Sequence, residues 1–339
     1  MTVLPPRYTA MALTQPGDPT LHAIERDLPA PGPGQLLLRV QVCGVCRTDL
    51  HLVDGELDPP PVLPRVPGHE VVGVVAAVGA GCRRFATGAR VGVPWLHATC
   101  GHCAWCTSQR ENLCESARFT GLTVDGGYAE FMLADEAFCF SLPARYSDAQ
   151  AAPLLCAGLI GWRALRLAGD ARTLGLYGFG AAGHLIAQVA LQQGRRVYAF
   201  TRPGDAAAQS LARSLGVQWA GGSDEAPPSS IDGALLFAPV GALVPLALQH
   251  SLPGSTIVCA GIHMSDIPRF AYRLLWRERS VRSVANLTRR DGDEFFAWAA
   301  EHRLVSTIQT FALRDANEAL RRLRDGRVTG AAVLRCGDP

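Results

Sequence analysis

The chain has no run of about 18–20 continuous apolar residues, the length a membrane-spanning helix requires. The nearest stretch, Gly233 to Ser265, carries no Asp, Glu, Lys or Arg, but Pro239, Pro245, His250, Pro253 and Gly254 break it. It reads as strand, helix and strand of a parallel sheet covered on both faces. An excess of one charge sign is also missing: 32 basic residues stand against 30 acidic ones, for a net charge of +2. That balance excludes the basic stripe a phosphate backbone demands, so no nucleic-acid partner is expected. Met1 to Leu13 has no charged segment followed by an apolar one, so no secretory signal and a cytoplasmic location are expected. Internal repeats and low-complexity tracts are absent. With 48% hydrophobic and 18% charged residues, the composition is that of a globular protein. Its 339 residues suggest two domains at roughly 100–200 residues each.

What is present is cysteine. The chain has 11, an odd number, several at two- and three-residue spacing. Without a secretory signal, metal ligation explains them better than a disulfide framework. Cys100, Cys103, Cys106 and Cys114 form C-x2-C-x2-C-x7-C. Two-residue gaps let a tight turn bring four thiolates to about 2.3 Å from one zinc ion. The rival, an iron–sulfur cluster, continues with a three-residue gap and Cys-Pro. Here the gap is seven and Glu115 follows. Four thiolates leave no open position, so this zinc is expected to be structural. His102, inside the lobe, reads as a solvated turn residue.

Residues 1 to about 150 are rich in Gly and Pro, with short strand-like runs at Leu36–Val42, Val71–Val78 and Arg90–Val93. From Pro153 strands alternate with helices. Thr173–Tyr177, Arg196–Thr201, Gly233–Ala238, Ser255–Ala260 and Val281–Ala285 read as strands; Ala182–Gln193 and Asp205–Leu215 read as helices closed by Gly194 and Gly216. This alternation implies an α/β, doubly wound parallel sheet. After Asn286 come a helix (Asp293–Glu301), a strand, a helix (Asp315–Arg324) and a last strand (Ala332–Cys336).

Three further motifs stand in order: Cys-Gly-Val-Cys-Arg-Thr-Asp-Leu-His over Cys43–His51, Gly-His-Glu over Gly68–Glu70, and Cys156 in Pro-Leu-Leu-Cys-Ala-Gly. None is strong alone. Together, with the four-cysteine lobe between them, they make the chain resemble the medium-chain zinc-dependent alcohol dehydrogenases over nearly its whole length. The resemblance implies a GroES-like, β-rich catalytic domain over residues 1–150, with the structural zinc lobe at about 95–116. It implies a Rossmann cofactor domain over 151–286 and a return to the catalytic domain over 287–339. It further implies a catalytic zinc on Cys46, His69 and Cys156, giving two zinc ions per chain. Two cysteines and one histidine leave a fourth position open. Glu70 is similar to a glutamate that approaches the metal, and Asp49 to a carboxylate that orients the ligand histidine. Cys43 could be taken with Cys46 for a redox pair; the resemblance favours Cys46 as ligand and Cys43 as a packed neighbour. Thr48 and His51 resemble a proton relay, and Trp95 a residue lining the substrate pocket; the alternative for Trp95 is ordinary core.

Gly178, Gly180 and Gly183 form G-x-G-x-x-G between a strand and a helix, the context a dinucleotide fingerprint needs. The pyrophosphate would lie at the helix N-terminus. A site preferring NAD(H) wants a carboxylate at the end of the second strand. The chain has Thr201 and Arg202 there, and no carboxylate until Asp205. A hydroxyl followed by a guanidinium suits a 2′-phosphate, so NADP(H) is the expected cofactor. Two positions depart from the family pattern: Leu159-Ile160-Gly161 stands where relatives carry Val-Thr-Thr, and Gly330-Ala331-Ala332 where they carry Gly-Arg-Val. Arg289 or Arg327 are candidates to compensate.

The expected function is interconversion of alcohols with aldehydes or ketones by hydride transfer, with a small-molecule substrate, no membrane partner and a homodimer or homotetramer. A polyol or formaldehyde dehydrogenase, a zinc-independent quinone or enoyl reductase, and a non-enzymatic zinc-binding module are the alternatives. If Thr48 and His51 pass the alcohol proton to solvent, His51→Ala slows alcohol oxidation most at low pH. A pH series of initial rates checks this; wild-type rates at every pH would sink it.

Overall fold

The computed structural model describes residues 4–15 and 17–337. In chain order its first strands are β1 (Arg7–Ala12), β2 (His22–Asp27), β3 (Gln35–Val45), β4 (Val71–Val78), β5 (Arg90–Val93), β6 (Leu96–Ala98), β7 (Arg118–Phe119), β8 (Phe131–Asp135) and β9 (Phe140–Ser141). Helices α1 (Arg47–Val53), α2 (Ala104–Thr107) and α3 (Asp148–Ala151) lie among and after them. The middle of the chain runs α4 (Ala157–Leu167), β10 (Thr173–Tyr177), α5 (Ala181–Gln192), β11 (Arg196–Thr201), α6 (Ala206–Ser214), β12 (Trp219–Gly222), β13 (Ile231–Leu236), α7 (Leu243–His250), β14 (Ser251–Cys259) and β15 (Ser280–Ser283). The last part is α8 (Arg289–Glu301), β16 (Ile308–Ala312), α9 (Ala316–Arg324) and β17 (Ala331–Arg335).

Two compact units result. One is Met1–Cys156 with Leu287–Pro339; the other is Ala157–Asn286. The first holds a sheet of order β16-β17-β3-β4-β5-β9. Its centre is β3, long enough to take two partners on one edge. Residues 35–39 pair with β8 and residues 42–45 with β17, while the other edge pairs with β4. Leu36, Leu37, Leu38 and Val40 on β3, with Val71, Val72 and Val75 on β4, are buried and supply the core. Residues 151–156, placed by sequence with the cofactor domain, pack with this unit instead. Leu154 and Leu155 are fully buried, and Leu155 fills the space that the missing side chain of Gly92 on β5 leaves.

The second unit is a parallel sheet of order β12-β11-β10-β13-β14-β15. Counted within the unit, that is 3-2-1-4-5-6, the doubly wound order. Helices cover both faces, so the central strands β10, β11 and β13 are buried along most of their length, whereas the edge strand β15 is largely exposed. At its centre Tyr177 stacks on Phe200, with ring centroids 4.1 Å apart. Helix α4 was not apparent from the sequence. Its Gly161 lies against Ile186 of α5, where an added Cβ would stand only 3.3 Å from the isoleucine. The departure at residues 159–161 therefore includes a glycine that lets two helices approach closely. No helix among the described residues is long and apolar enough to cross a membrane.

One hydroxyl ties the returning segment to the first unit. Tyr146 is 3% exposed. Its oxygen accepts from the Leu304 N–H (3.0 Å) and lies 2.9 Å from the His302 carbonyl and 3.1 Å from the Ala299 carbonyl. Tyr146→Phe leaves these buried groups without a partner, and a destabilisation of about 1–3 kcal/mol is expected in denaturant unfolding. An unchanged midpoint would show that solvent replaces the hydroxyl at no cost.

Candidate active site

Helix α1 begins at Cys46, and its N-terminus is built from the side chains of interest. The Cys46 sulfur accepts the Thr48 N–H (3.3 Å), while one oxygen of Asp49 accepts the Cys46 N–H (2.9 Å). This is a capping box with a thiol in the place of the usual hydroxyl. The other Asp49 oxygen accepts the N–H of Gly68 (3.2 Å) and stands 3.4 Å from Nδ1 of His69. Gly68 has φ +95°, and the Tyr128 ring occupies the space a Cβ there would need, so only glycine fits this turn. On the far side of the imidazole, His69 Nε2 lies 3.1 Å from the Cys46 sulfur. Glu70 lies close over Gly44, where a side chain would collide with its carboxylate.

The ligand atoms of Cys46, His69, Glu70 and Cys156 all lie within 4.8 Å of one another. His69 and Glu70 are buried, and the two cysteines are half-buried. The Cys156 thiol hydrogen-bonds the Cys46 sulfur and, together with the charge of His69 and against the cost of burial, holds the Cys46 thiol well below its usual range. The same bond, followed by burial, pushes Cys156 well up. Burial, then the Cys46 thiolate, raises Glu70 well above the carboxylate range. Burial works against a charged His69, but Cys46 and Asp49 outweigh it and raise the imidazole. Four acidic or basic ligands crowded out of water fit a divalent cation, and two thiolates, an imidazole and a carboxylate are a zinc donor set. Cys43 stays outside this set, fully buried against Gly68 and Gly127.

Thr48 is half-buried in the first turn of α1 and His51 is buried in its last. The helix ends in a Schellman motif. Gly55, at φ +72°, donates to the Leu52 carbonyl (3.2 Å), and the Glu56 N–H donates to the His51 carbonyl (2.9 Å). That geometry brings the Glu56 side chain back to His51, whose Nδ1 pairs with its carboxylate. Sequence reading missed Glu56; the glycine two residues past the helix, Gly55, was the available signal. Trp95 stands nearly perpendicular to the His69 ring (4.9 Å between centroids) and stacks on Phe119 (5.3 Å). It is half-buried, beside a candidate ligand rather than deep in the core.

In the cysteine lobe the sulfurs of Cys100, Cys103, Cys106 and Cys114 form a second cluster within 4.8 Å. Cys103 and Cys106 are 3.6 Å apart, and Cys100 and Cys106 are 3.9 Å apart. A tetrahedron with metal–sulfur bonds of about 2.3 Å has edges of about 3.8 Å, so the spacing fits zinc. Hydrogen bonds from the His102 and Cys103 backbone lower the Cys100 thiol to about 6. His102 is exposed, its ring bonded to the Cys100 carbonyl (2.8 Å), outside the cluster. Buried Glu111 anchors the lobe by accepting from the backbone (3.0 Å) and side chain (3.2 Å) of Arg289. Arg289 also lies over the Phe138 ring, and Arg327 pairs with Asp325, so both candidates for compensation have other partners.

In the second unit Gly178 ends β10 with φ +96°, and Gly180 caps α5 without a side-chain bond. An added Cβ on Gly183 would lie 2.4 Å from the Gly178 carbonyl oxygen, so helix and strand meet closely there. The tight turn leaves the first N–H groups of a 12-residue helix at the end of a central strand. At the end of β11, Thr201 is 3% exposed; its hydroxyl faces the Gly221 carbonyl (3.2 Å) and accepts from Gln209 (3.2 Å). The hydroxyl is thus turned into the fold, and Arg202 is the exposed group. Asp205 caps α6 through the Ala208 N–H (3.0 Å).

Asp49 caps α1 and stands 3.4 Å from the His69 ring, so Asp49→Asn is expected to weaken metal binding at this cluster by about 10–100-fold. Chelator competition measures it; an unchanged affinity would assign Asp49 to helix capping alone.

Comparison with known proteins bears on the same residues. Residues 32–144 match the GroES-like domain of alcohol dehydrogenases. A protein of Mycobacterium tuberculosis named "Probable alcohol dehydrogenase AdhA" is 46% identical over 339 residues, covering 96% of each chain. An alcohol dehydrogenase of Moraxella is 32% identical, over 93% of this chain and 96% of its own. Among solved structures, acetophenone reductase of Geotrichum candidum in complex with NAD superposes with a TM-score of 0.88 at 26% identity, over 98% of both chains. Relatives of such similarity over nearly the full length, on the same two-unit fold, place this chain in the medium-chain alcohol dehydrogenase family, whose enzymes interconvert alcohols and carbonyl compounds.

Proposed function

We propose that the enzyme is zinc-dependent, with a catalytic zinc held by Cys46, His69 and Cys156, and that it prefers NADP(H) to NAD(H). The observation that carries the reading is the convergence of four ligand atoms from distant positions within 4.8 Å. A zinc-independent reductase would have no use for it. Bound zinc supplies Lewis acidity toward the alcohol or carbonyl oxygen, and the nicotinamide accepts or donates the hydride. The chain's own residues do the rest. Two thiolates and an imidazole leave one position for a water or substrate oxygen, with Glu70 beside it. Asp49 fixes the His69 ring. Thr48 passes the alcohol proton toward His51, whose Nδ1 pairs with the Glu56 carboxylate. Trp95 limits the space beside His69 and so bears on substrate shape. Cys100, Cys103, Cys106 and Cys114 hold a second, structural zinc.

For the cofactor, Gly178, Gly180 and Gly183 accommodate the pyrophosphate at the N-terminus of α5. With Thr201 turned inward, the phosphate preference rests on the exposed Arg202 and on the missing carboxylate. The reading includes a homodimer or homotetramer, with β15 presenting the free edge of its sheet.

Metal analysis should find two zinc ions per chain, one lost in Cys46→Ser together with activity, and the other lost in Cys103→Ser together with stability. Two ions and full activity in Cys46→Ser would overturn the catalytic assignment. In fluorescence titrations NADPH should bind more tightly than NADH, with the difference largely gone in Arg202→Ala. Tighter NADH binding would retract the preference and leave the enzyme class intact.

A further inference from the structure

The first unit carries a cleft of about 300 Å³, and none of its lining residues belongs to the Cys46, His69, Glu70 and Cys156 cluster. Arg26 and Asp27 of β2, His97 of β6, Arg118 of β7 and Asp125 belong to its polar side; Val124 and Met132 belong to its apolar side. The carboxylates at the cleft already have partners. Asp125 accepts from Arg65 (2.8 Å) and from the Val66 N–H (3.1 Å), and Asp27 pairs with Arg7 (3.4 Å). Arg26 donates to the Pro64 carbonyl (2.8 Å) and stands 3.8 Å from Asp125. Arg118 has no ion-pair partner among the described residues.

Two polar atoms here are buried without a hydrogen-bond partner: Nε of Arg26 and Nδ1 of His97. An arginine Nε–H can only donate, so it needs an acceptor that the described residues do not supply. His97 is 3% exposed. Burial, then the charge of Arg118, pushes its pKa down to about 4, so the ring is neutral near pH 7. Unsatisfied buried groups carry a desolvation penalty.

We propose that this cleft binds a small carboxylate with an apolar body. The carboxylate would take the donors of Arg26 and Arg118, since guanidinium matches its geometry through charge-assisted bonds. His97 would meet its second oxygen, and the apolar body would lie on Val124 and Met132. A flat aromatic acid such as benzoate has this chemistry.

The test uses methyl-labelled methionine, of which the chain has four. Met132 lines the cleft, whereas Met11 and Met264 do not. Titrating the intact protein with benzoate should shift the Met132 methyl resonance saturably, with a midpoint on the order of 1 mM. Met11 and Met264, which do not line the cleft, should stay in place, which shows that the shift is local to the cleft. Arg118 is exposed, so Arg118→Ala should fold; it should raise the midpoint about tenfold. Arg26→Met should do the same independently. The absence of a saturable Met132 shift, or a shift unaltered in both variants, overturns the site. Saturation by inorganic phosphate but not by benzoate overturns the carboxylate assignment.

Discussion

The carboxylate of Asp49 is the interaction on which the rest of the candidate site depends. It is 2% exposed, and burial raises its pKa, while the His69 ring and the Cys46 N–H act to hold it down. Its partners are the N-terminus of α1, the Gly68 N–H and the His69 ring. A helix N-terminus carries partial positive charge, which suits a carboxylate. Through the two backbone contacts one side chain holds the N-terminus of α1 at Cys46 and the turn before His69, and its carboxylate stands 3.4 Å from the His69 ring. Two of the proposed zinc ligands, 23 residues apart in sequence, are thereby oriented together.

The electrostatics around Asp49 point the same way. Cys46, Cys156, Glu70 and Asp49 place four acidic groups around one imidazole, largely out of water. Without a cation these groups can only share protons, which is why Cys46 is held down while Cys156 and Glu70 are held up. Isolated charge is expensive to bury, and a divalent ion relieves that cost directly. Tyr128 is fully buried among the same groups, and burial followed by the Asp49 charge pushes its hydroxyl well up, so it remains neutral there. The lobe obeys a different logic. Its four cysteines lie close in sequence, the turn at Gly101 (φ +77°) gathers them, and Glu111 fastens the lobe to Arg289 at the start of α8.

The cofactor unit is held by packing. Gly183 allows α5 to meet β10, Gly161 allows α4 to meet α5, and stacked Tyr177 and Phe200 fill the sheet's centre. Such close approach leaves little room for alternative chain paths, and it presents the glycine turn at the end of β10.

The sequence by itself determined the elements whose cause is local. Continuous apolar strands such as Thr173–Tyr177, glycine-closed helices, the glycine fingerprint and the two-residue cysteine gaps depend on neighbours a few positions away. Strand ends, the helical state of residues 157–167 and the inclusion of 151–156 in the first unit depended on partners far along the chain. Only the tertiary structure decided which side of a residue faces what. It turned the Thr201 hydroxyl inward, committed Arg289 to Glu111, brought Glu56 to His51 and set Trp95 against His69. A residue's type limits the contacts it can make. Long-range packing selects which of them it makes, because only the folded chain fixes direction and burial.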